Sequence, residues 1–283
     1  MAYVKVGFRR QKGKAFYRKG SSKNTAAKAV RKARTHNFNK RVLKVLNRAS
    51  ETKMKVVSVV DGHSIYGQGL LSTSQNQGSG HSGYIVPNLL SSIALDQGTE
   101  QEQRVGNKIQ NAKLTISGVL KSNVYDATTN PYLSPFEVHM VVYKSKNDTQ
   151  GNPLQIKAKP ANTIGPADGT LENTLYPYNR DKYMIHKVRV FRLRGYRAHI
   201  DGSQNPTDTQ VLGGQSGNLA AFARFRCDIP ISNTLLYNDG ASVANNSWAT
   251  VGFYVVDCQN NTITSTHTRC ELWLDAKLTF KDV

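Results

Sequence analysis

From residue 272 to residue 281, apolar and polar side chains alternate without a break. Leu272, Leu274, Ala276, Leu278 and Phe280 fall on one side, and Trp273, Asp275, Lys277, Thr279 and Lys281 fall on the other. Successive side chains of an extended strand point to opposite faces, so this pattern specifies a strand with one buried and one solvated face. The same period recurs along the chain. Leu114, Ile116 and Leu120 alternate with Lys113, Thr115, Ser117 and Lys121, and Phe136, Val138, Met140 and Val142 alternate with Glu137, His139 and Tyr143. Ala221, Ala223, Phe225 and Cys227 oppose Phe222, Arg224 and Arg226, while Ala249, Val251, Phe253 and Val255 form another inward set. A β-branched run at 54–60, a run at 183–196 and a weaker one at 154–159 bring the count to about eight strands.

Strands with one apolar face need a second sheet to cover it. The connections 62–82, 127–135, 160–179, 201–217 and 232–247 are long and polar. Long loops on short strands suit a sandwich whose loops make contacts better than a tight-turned barrel. The expected fold is all-β: an eight-stranded antiparallel jelly-roll sandwich over residues 53–283, preceded by a basic, partly helical arm over residues 1–52. An immunoglobulin-like sandwich would need only about 100 residues.

The arm is a different kind of chain. Residues 1–50 hold 16 Lys and Arg and no Asp or Glu, while the remaining 22 bases face all 19 acids. Such a block repels itself and does not fold alone unless an anionic partner neutralises it. A solubilising or targeting tail is one reading. A polyanion-binding arm accounts better for this density of cations without a carboxylate. In residues 1–24, Arg9, Arg10, Lys12, Lys14, Arg18, Lys19 and Lys23 interleave with Tyr3, Phe8, Phe16 and Tyr17. Cations that follow phosphates and rings that stack on bases suit single-stranded nucleic acid; the rings could equally pack against the inside of a shell or domain.

Residues 25–50 read as a helix, with Ala26, Ala27, Ala29 and Ala33 favouring it. Phe38, Val42, Val45, Leu46 and Ala49 line one face. Lys28, Arg31, Lys32 and Arg34 precede that stripe, and Lys40, Arg41, Lys44 and Arg48 occupy its other sides. Binding to a membrane surface competes as a reading of such a helix, but the stripe is small and has no Trp. The clusters 9–14 and 31–41 also suit a nuclear localisation signal read by a host import receptor. A further basic set, Lys187, Arg189, Arg192, Arg194 and Arg197, changes parity between Arg189 and Arg192. Either the strand bulges near Val190–Phe191, or it is basic on both faces. Its role is an inner wall touching nucleic acid or an edge strand defended by charge.

Catalysis finds no foothold. The histidines at 36, 63, 81, 139, 186, 199 and 267 form no HExxH or HxH. Gly67-Gln68-Gly69 and Gly78-Ser79-Gly80 precede no helical pattern, and 213–217 lacks the strand–Ser–helix setting of a nucleophile elbow. Cys227, Cys258 and Cys270 include no CxxC pair, and they read as reduced, mostly buried thiols. Asp61 with His63, and Asp228, suit metal ligands at an interface and ordinary loop acids equally well. The expectation is a structural protein with no catalytic residue, metal site or cofactor. No run approaches the roughly 18 apolar residues of a membrane span, and Lys5, Arg9 and Arg10 replace the apolar run of a secretory signal. A soluble origin in a cytosol is expected, without membrane insertion.

Residues 97–109 read Gln-Gly-Thr-Glu-Gln-Glu-Gln-Arg-Val-Gly-Asn-Lys-Ile and lead into a strand. This Q-G-x(4)-Q-R-x-G-x-K-I segment resembles one in the capsid proteins of small circular Rep-encoding single-stranded DNA viruses. The shells of those viruses are similar to that of satellite tobacco necrosis virus. The junction Val42–Leu46 ahead of Glu51-Thr52-Lys53, and the closing run Leu278–Val283, are also similar to circovirus-like capsids. The arm departs from the densest members, having Ala-rich and Asn-containing stretches in place of near-continuous Arg.

The resemblance implies a T=1 shell of sixty jelly-roll subunits in the virion, with arms inside against single-stranded DNA in preference to RNA, and assembly in the host nucleus. Sixty such arms would supply on the order of a thousand charges against about one per nucleotide, the scale of a small genome. A free nucleic-acid-binding β protein, or the capsid of a small RNA satellite virus, stands as the alternative.

Overall fold

Residues 52–282 of the computed structural model form two antiparallel sheets, and each strand's period explains its place in them. The described residues are 38, 41, 51–66, 83–126, 128–131, 134–146, 153, 155–160, 163–165, 167–195, 221–257 and 267–282. The chain divides into two units, Met1–Glu51 with Val283 and Thr52–Asp282. Of the first, Phe38 and Arg41 are described, and both are helical and exposed. The rest of the helix expected over 25–50 lies outside the described residues.

The strands are β1 (Thr52–Tyr66), β2 (Tyr84–Val86), β3 (Lys108–Ser122), β4 (Pro135–Ser145), β5 (Lys157–Ala158), β6 (Ile164–Gly165), β7 (Tyr183–Arg194), β8 (Phe222–Ile229), β9 (Leu235–Leu236), β10 (Thr250–Asp257) and β11 (Thr268–Asp282). One sheet runs β1-β11-β3-β8, with β9 on the far end of β3; the other runs β2-β10-β4-β7. The chain passes from sheet to sheet so that strands distant in sequence lie side by side, and every ladder is antiparallel. This interleaving of two Greek keys is a jelly roll. It takes eight strands, and the expected run at 154–159 is not one of them. Tyr84–Val86 supplies the eighth strand, and the weaker run contributes only the two-residue ladder of β5 with β6.

The inward sets of the alternating runs meet between the sheets. Leu114, Ile116 and Leu120 of β3, Phe225 and Cys227 of β8, and Leu272, Leu274, Ala276, Leu278 and Phe280 of β11 face Phe136, Val138, Met140 and Val142 of β4 and Val251, Phe253 and Val255 of β10 in one apolar core. Cys227 and Cys270 are buried free thiols, and Cys258 lies outside the described residues. Gly118 belongs to this packing because Phe225 and the Trp273 carbonyl occupy the space of a side chain there: a Cβ would lie 2.5 Å from the Phe225 ring and 2.6 Å from that oxygen. A bulge at Asn111, whose φ is 53°, lets β3 exchange β8 for β9 as its neighbour. Asn tolerates this left-handed conformation better than most residues.

The outer face of the four-stranded sheet is covered as well, which the sequence pattern does not reveal. Tyr143, expected with Glu137 and His139 on a solvated face, packs with Val141, Ile85, Tyr183, Tyr254 and Val256 beneath Ile156 and Ala167. Those last two residues belong to the connection from β4 to β7, which also carries β5, β6 and the short helix α2 (Leu171–Leu175), capped by Thr170. A first short helix, α1 (Leu89–Ser92), follows Asn88, whose side chain accepts from the Leu90 N–H.

Candidate nucleic-acid interface

Most of the arm lies outside the described residues. That includes Arg9, Arg10, Lys12, Lys14, Phe16, Tyr17, Arg18, Lys19, Lys23, Lys28, Arg31, Lys32, Arg34, Lys40, Lys44 and Arg48, while Arg41 is helical and exposed. The structure does describe the residues that follow the arm in the chain. Lys53, almost fully buried, puts its ammonium 2.8 Å from the Asp282 carboxylate and donates to the Gln103 carbonyl at 3.0 Å. The same carboxylate accepts from the Val105 N–H at 3.3 Å. The first strand, the last strand and the loop before β3 are thereby tied at one corner of the sandwich.

That loop is the segment 97–109, and its fixed residues have structural work to do. Gly98 N donates to the Arg104 carbonyl at 2.8 Å and Arg104 N to the Asp96 carbonyl at 3.0 Å, folding the segment back on itself. The Gln103 side-chain oxygen fills the place of a Gly98 side chain, 1.8 Å from an ideal Cβ. Arg104 is buried completely. Its guanidinium donates to the carbonyls of Gly106 and Ala241 and to the Asn107 side chain, and lies over the Tyr237 ring at 4.5 Å. Burial pushes the Tyr237 hydroxyl up to about 12. The segment is a clamp between β3 and the β9–β10 loop.

The basic set of β7 does not form one wall. Its odd members face the core side: Lys187 lies opposite Val142 and Arg189 opposite Met140. Its even members face outward: Arg192 lies opposite Glu137, with which it pairs at 3.0 Å, and Arg194 lies opposite Pro135. No bulge occurs at Val190–Phe191. The register shifts instead between Val142 and Tyr143, opposite His186, so the strand is basic on both faces. Arg189 reaches across to the other sheet and donates to the Arg226 carbonyl of β8 at 2.9 Å. Arg224 and Arg226, exposed on β8, therefore join Lys187 and Arg189 along one edge of the sandwich. Sequence reasoning left these two arginines out of the site. Their alternation with Phe225 was visible, but their closeness to β7 arises only when β8 enters the opposite sheet.

The covered face holds a polar chain of another kind. Glu137 accepts from His139 Nε2 at 3.0 Å, His139 Nδ1 lies 3.3 Å from the Tyr254 hydroxyl, and Tyr254 lies 3.4 Å from Tyr178. Burial lowers the His139 pKa, so the neutral ring donates to Glu137 and accepts from Tyr254. Burial pushes the Glu137 carboxyl up, but the bonds from His139 and Arg192 outweigh it and hold the pKa below its ordinary value. Lys157, buried beside the Tyr178 ring, is brought down to about 8 by burial and donates to the Tyr176 carbonyl. Each member has an internal partner, and the chain fastens the β4–β7 connection to its sheet. Asp61, His63 and Asp228 lie in strands, not loops: β1 runs through Asp61 and His63, whose ring packs tilted against Tyr84, and Asp228 of β8 accepts from Thr115 at 2.8 Å and pairs with Lys113, both of which hold its pKa low.

No protein-family model and no curated protein matches the chain. Solved structures similar to it include VP1 of Trichodysplasia spinulosa-associated polyomavirus in complex with 6'-sialyllactose, with 9% identity, a TM-score of 0.27, and coverage of 82% of this chain and 96% of that one. Merkel cell polyomavirus VP1 in complex with GD1a oligosaccharide gives 13%, 0.26, 82% and 96%. An unassembled KI polyomavirus VP1 pentamer gives 11%, 0.26, 82% and 95%. These likenesses are too distant to carry an argument about function.

Proposed function

We propose that this chain is a structural, non-catalytic capsid subunit. It assembles with copies of itself into a small icosahedral shell, a T=1 particle of sixty, and packages single-stranded DNA through its arm. The observation that carries this reading is one attachment: an acid-free segment with 16 cations is joined to the first strand of a jelly roll. The arms repel one another until phosphates neutralise them, so nucleic acid lowers the cost of bringing subunits together. The same basic clusters would direct the chain to the host nucleus through an import receptor.

Electron microscopy of the purified chain at moderate salt tests assembly: uniform isometric shells are expected, and a field of small unassembled molecules would favour a free nucleic-acid binder. Deleting residues 1–36 should leave the β fold intact and abolish nucleic-acid content. Particles of that truncation holding normal amounts of nucleic acid would refute the role of the arm.

A further inference from the structure

The five-stranded sheet turns one face to the core, and its other face carries a pattern of its own. Cross-strand register sets Glu271, Lys121 and Phe222 in one row, followed by Trp273, Val119 and Arg224, then Asp275, Ser117 and Arg226, then Lys277, Thr115 and Asp228. Among the described residues the ion pairs on this face are Lys121–Glu271 at 3.8 Å and Lys113–Asp228 at 3.2 Å. Arg224 and Arg226 lie outside both pairs and are exposed. Phe222 is 53% exposed, with the Arg224 guanidinium 5.7 Å from its ring centre. Lys187 and Arg189 add two cations at the same edge, where Arg189 is fixed by its bond to the Arg226 carbonyl.

We infer that the β8 side of this face is a second nucleic-acid site, in the folded body and separate from the arm. A single strand lies along β8 with phosphates on Arg224 and Arg226 and a base on the Phe222 ring. Two features select this partner. Adjacent cations outside the ion pairs of a sheet surface attract a polyanion, and an accessible ring beside them offers a stacking platform that bases in a duplex cannot reach. The inference rests on the proposed packaging of nucleic acid and assigns part of that binding to the body.

The test titrates the full chain, at nanomolar concentration, into labelled oligodeoxythymidine over a range of salt. Arg224→Gln with Arg226→Gln removes two phosphate contacts. The salt slope should fall by about 1.4, so that the parent's advantage shrinks about sevenfold between about 50 and 200 mM salt. Arg192→Gln with Arg194→Gln removes the same charge from the opposite face and should leave the slope unchanged. Phe222→Ala should weaken binding at least about fivefold without altering the slope, and should abolish an ultraviolet crosslink at position 222.

Equal slope losses in the two arginine pairs, or none in the first, would overturn the site while leaving packaging by the arm in place. So would a β8 pair that weakens self-association and leaves oligonucleotide binding intact, because the face would then be a contact between copies. A parent chain that binds the probe without salt dependence would refute the packaging reading itself, and the site with it.

Discussion

Replacing Arg104 with methionine keeps most of a buried stem and deletes the guanidinium that holds the loop before β3 to the β9–β10 loop. Three hydrogen bonds disappear, to the Gly106 carbonyl, the Asn107 side chain and the Ala241 carbonyl. Bonds from a charged donor contribute about 1.5–3 kcal/mol each, and relief from burying the cation returns part of that, leaving a net loss of about 3 kcal/mol. For a chain of this size each kcal/mol moves the melting point by about 2–4 °C, so the variant should melt about 6–12 °C lower. Thermal unfolding of the full chain followed by circular dichroism reads this directly. Arg104→Lys keeps the charge but not the planar fork, and a single ammonium cannot span acceptors on two loops, so it should recover less than half of the loss. A fall under about 2 °C for the methionine variant, set against the 2–4 °C expected per kcal/mol, would refute the clamp. Full rescue by lysine would show that charge, not fork geometry, holds the loops.

Gly118→Ala should destabilise the body by about 2–3 kcal/mol, because the new methyl meets the Trp273 carbonyl, a backbone atom that cannot swing aside. A denaturant midpoint equal to that of the parent would show that the sheets have slack there. His139 makes stability depend on pH. Its folded pKa lies below the ordinary 6.5, so the unfolded chain binds more protons once the pH falls through that value. The stabilisation is complete above about pH 7 and is lost toward the folded pKa at a slope of at most about 1.4 kcal/mol per pH unit. His139→Gln should flatten this part of the stability profile relative to the parent, in which His63 and His186 are shifted in the same direction by burial. An unchanged profile would contradict the neutral assignment.

The inward side of each long strand was legible, because an alternation such as 272–281 admits one solution. Tyr84–Val86 was not, since three residues are too few to display a period. Nor was the burial of His139 and Tyr143: their local pattern says only that they oppose the core, and it is the β4–β7 connection, through Ile156, Ala167 and Tyr178, that packs over that face. The motif 97–109 stood out as a string of residues, but its reason is a buried arginine bonded to Ala241, more than 130 positions away. For the site, the charge of the arm could be counted directly. The split of β7 into two faces followed from parity once the bulge was shown to lie at His186. The union of Arg189 with Arg226 required the topology.

The pairing of β1 with β11 also sets a clock. Among the described strands β1 has β11 as its sheet neighbour, and Thr52 meets Lys281 across about 230 residues of chain. At ~5–20 residues per second of synthesis, the first strand waits roughly 10–45 s for its partner to be made. Ladders this distant in sequence are also slow to close once both strands exist. The sixteen cations ahead of Glu51 thus leave the ribosome long before the sandwich can form. The segment is free to meet polyanions while its own body is still unfinished.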